Sequence, residues 1–281
     1  MQRSLVGSEM CIRDSHRAGP SDDQNKDAGE DLIMDESGHL TKEEKAAEKA
    51  RKKREKQEKQ RRLLFKPTKD GRRVSHLMNF LRVLFYPIHY IIFPFRLHGC
   101  TKVGKGAFIY VGNHYSIFDV FFPAHTTWEG IHFLAKDSVF QTPVLGYFAR
   151  KVGAISALRD GSDVKTVMES IKVLKQGEKL SLYPEGTRNK VSDEEFLPFH
   201  AGAALLAVRT RTPIIPVVIC NRTKPFHVTH VVIGEPFELS EYYGKKPSQE
   251  DYAAMDEFIR RHMYGLRDQF REERAAKKRK A

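Results

Sequence analysis

The stretch Asp163–Tyr183 (DVKTVMESIKVLKQGEKLSLY) decides the fold. Val164, Val167, Met168, Ile171 and Leu174 recur at three- and four-residue intervals, so they line one face of a helix. The pattern stops at Gln176, Gly177 follows, and Leu180–Tyr183 reads as a short buried strand. A helix feeding directly into a strand is half of an α/β unit. Outward from it, apolar and β-branched runs recur at Phe108–Val111, Ile131–Leu134, Ala154–Ala157, Ile214–Ile219 and Val228–Ile233. Weaker helical patterns at Val139–Lys151 and Ala201–Arg209 fall between them. This alternation predicts an α/β fold with a mostly parallel sheet flanked by helices. A last amphipathic helix carries Tyr252, Met255, Phe258, Ile259, His262, Met263, Leu266 and Phe270.

The chain of 281 residues is long enough for one sizeable α/β domain or two small ones. Its formal charge of +12 suits an anionic partner such as phospholipid headgroups, nucleic acid or a phosphorylated substrate. Residues 1–20 read as an artefactual or disordered leader, and residues 21–73 as a charged arm, disordered then partly helical. Residues 74–98 are apolar and aromatic, interrupted by Pro87, His89 and Pro94 and flanked by Arg72, Arg73, Arg82 and Arg96. Such a segment is too short to span a bilayer comfortably and suits a helix or helix pair lying in the membrane interface. Residues 99–272 hold the α/β domain and residues 273–281 a basic tail. The three cysteines, Cys11, Cys100 and Cys220, are scattered, which speaks against a disulfide framework or zinc site and for a reducing compartment.

Three turns carry chemistry. After Phe108–Val111 come Asn113, His114 and Asp119, a histidine with a carboxylate one turn later. Imidazole can take a proton near neutral pH, and a carboxylate behind it fixes the tautomer and stabilises the imidazolium. No Gly-x-Ser-x-Gly nucleophile motif is present, so the histidine is expected to activate a hydroxyl of the substrate. After Leu180–Tyr183 come Glu185, Gly186, Thr187 and Arg188, a tight turn followed by a side chain that can grip phosphate through two hydrogen bonds. The strand Ala154–Ala157 runs into Arg159. All three turns follow predicted strands, and in a parallel sheet ligands collect beyond the carboxyl ends of the strands. Lys136, near the end of Ile131–Leu134, is a further candidate for the anion site. One base and several cations on one edge call for a phosphorylated substrate with a free hydroxyl.

These residues resemble a family. Asn113-His114 with Asp119 looks like the His-x4-Asp block of the glycerolipid acyltransferases. Gly153–Arg159, Tyr183–Arg188 and Ile214–Val218 are similar to their second, third and fourth blocks, in the same order. The second block departs from the family in carrying Ser156-Ala157-Leu158 where a bulkier, more aromatic run is common. The Glu185–Arg188 sequence resembles the 1-acyl-glycerol-3-phosphate acyltransferases more than the glycerol-3-phosphate enzymes. The resemblance implies a glycerol-3-phosphate acyltransferase-like fold and O-acyl transfer from acyl-CoA or acyl-carrier protein to the 2-hydroxyl of a lysophospholipid acceptor. It gives phosphatidic acid as the product and no acyl-enzyme as an intermediate. His114 and Asp119 would be catalytic, and Arg159, Glu185, Gly186, Thr187, Arg188 and Lys136 would hold the acceptor phosphate, with Glu185 orienting Arg188 or the acceptor. No metal and no cofactor is expected, because the thioester is already activated. The setting implied is the cytoplasmic face of an anionic membrane, with a monotopic topology. The alternatives are an acyltransferase acting on glycerol-3-phosphate or another lysophospholipid, and a basic membrane- or nucleic-acid-binding protein. No recognition helix or stacking-aromatic motif supports a nucleic-acid partner.

Overall fold

The computed structural model describes residues 45–49, 51–52, 55, 66–67, 73–157, 164–200 and 202–280. The expected leader and most of the charged arm lie outside these residues, as does Arg159. Residues 12–63 and 64–281 fall in different units. Within the first, the helical residues 45–49, 51–52 and 55 carry the i,i+4 ion pairs Glu48–Lys52 at 2.6 Å and Arg51–Glu55 at 3.8 Å.

The larger unit opens with a small antiparallel pair, β1 (Lys66–Pro67) and β2 (Arg73–Val74). Helix α1 (His76–Ile92) follows, then β3 (Phe95–Gly99), β4 (Ile109–Gly112), a 3-10 turn at Ile117–Val120 and the short α2 (Phe121–Ala124). Next come β5 (Ile131–Lys136), α3 (Asp137–Gln141), α4 (Pro143–Lys151), β6 (Ile155–Ala157), α5 (Val164–Lys175) and β7 (Lys179–Leu182). The chain continues through α6 (Ala203–Thr210), β8 (Ile214–Ile219), β9 (Thr229–Ile233) and α7 (Gln249–Lys280). Seven strands form one sheet in the order β3-β9-β8-β4-β7-β5-β6. Its neighbours pair in parallel except β8 with β9, so β3 and β9 run against the other five.

The predicted strands all occur, within one or two residues of their expected ends. Every residue of β4, β7, β8 and β9 is buried, as expected of strands covered on both faces. One face packs Ile109, Val111 and Leu182 with Val173 and Leu174 of α5, Leu206 of α6 and Met255, Ile259 and Met263 of α7. Helix α5 ends with Lys172 and Lys175 in its last turn, where cations complement the helix dipole. Gly177, at φ +76°, then lets the chain turn into β7.

The structure departs from the sequence reading in four places. Helix α1 runs straight through Pro87. A proline there removes one intrahelical bond, but Met78, Arg82 and His89 are buried along one side and hold the helix on the domain. The helix ends at Ile92, two residues before Pro94, consistent with the restricted backbone ahead of a proline. Arg82 does not flank an interface: it is buried and donates to Asn79 Oδ1 at 2.9 Å and to the Glu129 carbonyl at 3.0 Å. Residues 95–98, read with the interfacial segment, belong to β3 and pair with β9. The basic residues Lys277–Lys280 form the last turns of α7. Cys220 is free and buried. Among the described residues no helix is long and apolar enough to cross a membrane.

Candidate active site

His114 leaves the carboxyl end of β4, the strand at the middle of the sheet. Asn113 fixes that exit. It is fully buried, its amide donates to the Ile219 carbonyl at 3.1 Å, and its oxygen accepts the Ile219 N–H at 2.8 Å, tying β4 to the end of β8. The Asn189 N–H donates to the His114 carbonyl at 2.6 Å. Asp119 caps the following 3-10 turn and is fully buried. Its Oδ2 lies 3.1 Å from His114 Nδ1 and accepts the N–H groups of Tyr115 and Ser116, each at 2.6 Å. Its Oδ1 accepts the Thr223 hydroxyl at 2.9 Å. With a donor at each contact, the carboxylate acts as acceptor only, so Nδ1 carries the hydrogen. Nε2 then presents its lone pair, and the side chain remains 18% exposed.

Tyr183 stacks on the His114 ring, with centroids 4.4 Å apart and planes 26° apart. The stack explains Gly112. A Cβ there would stand 2.9 Å from Tyr183 Cε1, so any larger residue would push the tyrosine off its place.

Glu185 is placed differently from the expectation. It is only 2% exposed, and its two oxygens accept the N–H groups of His114 at 3.0 Å and Leu197 at 3.3 Å. It therefore holds the backbone under the histidine and does not orient Arg188. Burial pushes its carboxyl up to about 7; the two N–H bonds oppose that shift and the Asp119 charge adds to it. Gly186, Thr187 and Arg188 are exposed on the same turn, which Gly186 closes at φ +63° with its N–H on the Tyr183 carbonyl at 3.0 Å. Lys136 is exposed at the end of β5. Because β4, β7, β5 and β6 are neighbouring parallel strands, His114, Gly186–Arg188, Lys136 and Ala157 all lie at one edge of the sheet.

Beside this edge is an apolar cavity of about 530 Å³. Ile117 and Phe118 of the turn after His114 line it, with Phe85, His89 and Phe93, Phe133 from β5 and Leu145 and Phe148 from α4. Its volume falls within the range of small-ligand sites. Sequence reasoning missed this cavity, and it also missed Tyr183, Thr223 and Asn189. Thr223 joins Asp119 from 104 residues away, and no local pattern marks it.

A histidine held by a buried carboxylate, exposed cations on the same sheet edge and an apolar cavity alongside are parts that an acyl-transfer site on an α/β scaffold can use. Residues 94–220 match the family model described as Acyltransferase. It is similar to the 1-acyl-sn-glycerol-3-phosphate acyltransferase of Bacillus subtilis, at 28% identity over 48% of this chain and 68% of that protein. The enzyme of the same name from Helicobacter pylori is 33% identical over 45% of this chain and 55% of its own length. The one from Saccharomyces cerevisiae is 31% identical over 44% and 42%. The fold is that of the 1-acyl-sn-glycerophosphate (LPA) acyltransferase PlsC from Thermotoga maritima. That crystal structure superposes with a TM-score of 0.51 at 22% identity, covering 68% of this chain and 78% of that one.

Proposed function

We propose that the protein transfers an acyl group from acyl-CoA or acyl-carrier protein to the 2-hydroxyl of 1-acyl-glycerol-3-phosphate, forming phosphatidic acid at the surface of an anionic membrane. The observation that carries this reading is the His114–Asp119 pair, set at the end of the sheet that also carries Gly186–Arg188 and Lys136. His114 removes the proton from the acceptor hydroxyl while Asp119 stabilises the imidazolium. The oxygen attacks the thioester carbonyl directly, the C–O bond forms, and the C–S bond breaks to release the thiol carrier, which takes the proton back from His114. Arg188, Lys136 and Arg159 hold the acceptor phosphate, with Gly186 and Thr187 shaping the turn. The cavity against Phe118 receives an acyl chain. The exposed apolar side of α1, with Phe80, Val83, Leu84, Ile88 and Ile91, rests on the bilayer and brings the edge to substrates that scarcely leave it. Names of the relatives support the acceptor assignment.

The test is reconstitution in vesicles with acyl-CoA and isotopically labelled 1-acyl-glycerol-3-phosphate, with glycerol-3-phosphate and lysophosphatidylcholine as competitors. Labelled phosphatidic acid with stoichiometric release of CoA thiol is expected, and neither competitor should displace the label at equal concentration. Faster acylation of either competitor would overturn the acceptor assignment.

A further inference from the structure

The loop between β8 and β9 lies on the same edge as His114, because β8 runs parallel to β4. At its tip Lys224, Pro225, Phe226 and His227 form a tight turn closed by the His227 N–H on the Lys224 carbonyl at 3.3 Å. Phe226 takes the third position with φ +60°. After a proline, that position of a turn normally belongs to glycine or asparagine, because a Cβ is strained there. Phe226 gains no packing in return: it is 74% exposed, and the whole run Lys224–Val228 is exposed with it. The fold thus keeps a large apolar ring in an unfavourable backbone conformation and turns it outward. The same residue is tied inward through its backbone. Its N–H donates to the Ile92 carbonyl at 2.6 Å, at the end of α1 where Ile91 is 68% exposed and Tyr90 54%. Three residues earlier in the loop, Thr223 holds Asp119 at 2.9 Å.

We propose that Phe226 is a membrane anchor, inserting into an anionic phospholipid surface beside the end of α1, with Lys224 at the headgroups. The chemistry favours a bilayer over a protein partner. The ring is rimmed by a lysine and continues the exposed apolar side of α1, an arrangement that suits the headgroup–acyl boundary. This rests on the reading of the site as one that takes a lipid acceptor. The anchor would set the height of the His114 edge above the bilayer, since one short loop joins Phe226 to the residue that holds Asp119.

The test uses the full chain and vesicles of phosphatidylcholine containing phosphatidylglycerol. Phe226→Gly relieves the strained conformation, so its melting temperature should equal or exceed that of the wild type. Its vesicle partition coefficient should nevertheless fall roughly tenfold, the scale expected for losing one buried aromatic side chain. Activity on a water-soluble short-chain acceptor should stay within twofold. Phe226→Trp in a Trp128→Phe background should bind vesicles like the wild type, and bromine-labelled acyl chains should quench its fluorescence. Equal vesicle affinity of wild type and Phe226→Gly, or an unquenched Trp at position 226, would overturn the anchor. Vesicle binding is read without turnover, so a failure of acyl transfer would count against the catalytic site and leave the anchor result intact.

Discussion

Asp119 Oδ2 stands 3.1 Å from His114 Nδ1 while accepting two backbone N–H groups of its own turn. The carboxylate is thus held by the backbone it caps, and the imidazole is held by the carboxylate. Asp119→Asn replaces one acceptor oxygen by an NH2 group that cannot accept from Nδ1–H and favours the wrong histidine tautomer. The expected loss in kcat is about 10³-fold or more, with the melting temperature changed far less, as measured by steady-state acyl transfer beside thermal unfolding.

Glu185 separates positioning from phosphate binding. Its oxygens serve the His114 and Leu197 N–H groups, so Glu185→Gln leaves one of those donors without an acceptor. A fall in kcat of roughly 10- to 100-fold is expected, with KM for the acceptor changed less than threefold. A large rise in KM with unchanged kcat would return Glu185 to the phosphate site.

At the opposite edge, Lys179 is fully buried and paired with Glu129, with its ammonium also on the Gly106 carbonyl at 2.9 Å. Glu129→Ala strands that cation and should cost about 3–5 kcal/mol, read by denaturant unfolding. Replacing both partners by apolar residues of similar volume should recover most of the loss, because the desolvation cost of both charges then disappears.

Two buried carboxyls give stability an unusual pH slope. Burial pushes both Asp256 and Glu185 up to about 7, and the Ala204 N–H only partly opposes this at Asp256. Each folded-state pKa is raised, so the folded protein holds more protons than the unfolded chain between about pH 4 and 7. Their contribution is therefore fully present below the unfolded carboxylate range and is lost as pH rises through about 7. Melting temperature measured from pH 5 to 8 should fall more steeply in the wild type than in Asp256→Asn, where one of the two groups no longer titrates.

The sheet was legible because its central strands are continuous apolar runs, and Asp163–Tyr183 carries helix and strand periods back to back. The His114–Asp119 spacing was legible because the pair sits within one turn of chain. Strand β3 was not: Phe95–Gly99 is a sheet-edge strand with neither alternation nor a continuous apolar run, and it borrows its conformation from β9. Glu185 misled for a physical reason. Next to an arginine in sequence a carboxylate reads as its ion-pair partner, but the turn at Gly186 sends the two side chains apart, one inward to the His114 backbone and one to solvent. Arg82 looked like a surface cation, and only the fold reveals the carbonyl of Glu129 that lets it be buried. Thr223, Asn189 and the apolar cavity arise from tertiary contact alone.

The central claim is that His114 is the base that activates the acceptor hydroxyl. The most direct measurement is acyl transfer to 1-acyl-glycerol-3-phosphate in vesicles by His114→Ala against wild type, with folding checked by thermal unfolding. The account predicts near-complete loss of turnover in a folded protein. Substantial residual acyl transfer by the folded variant would contradict it.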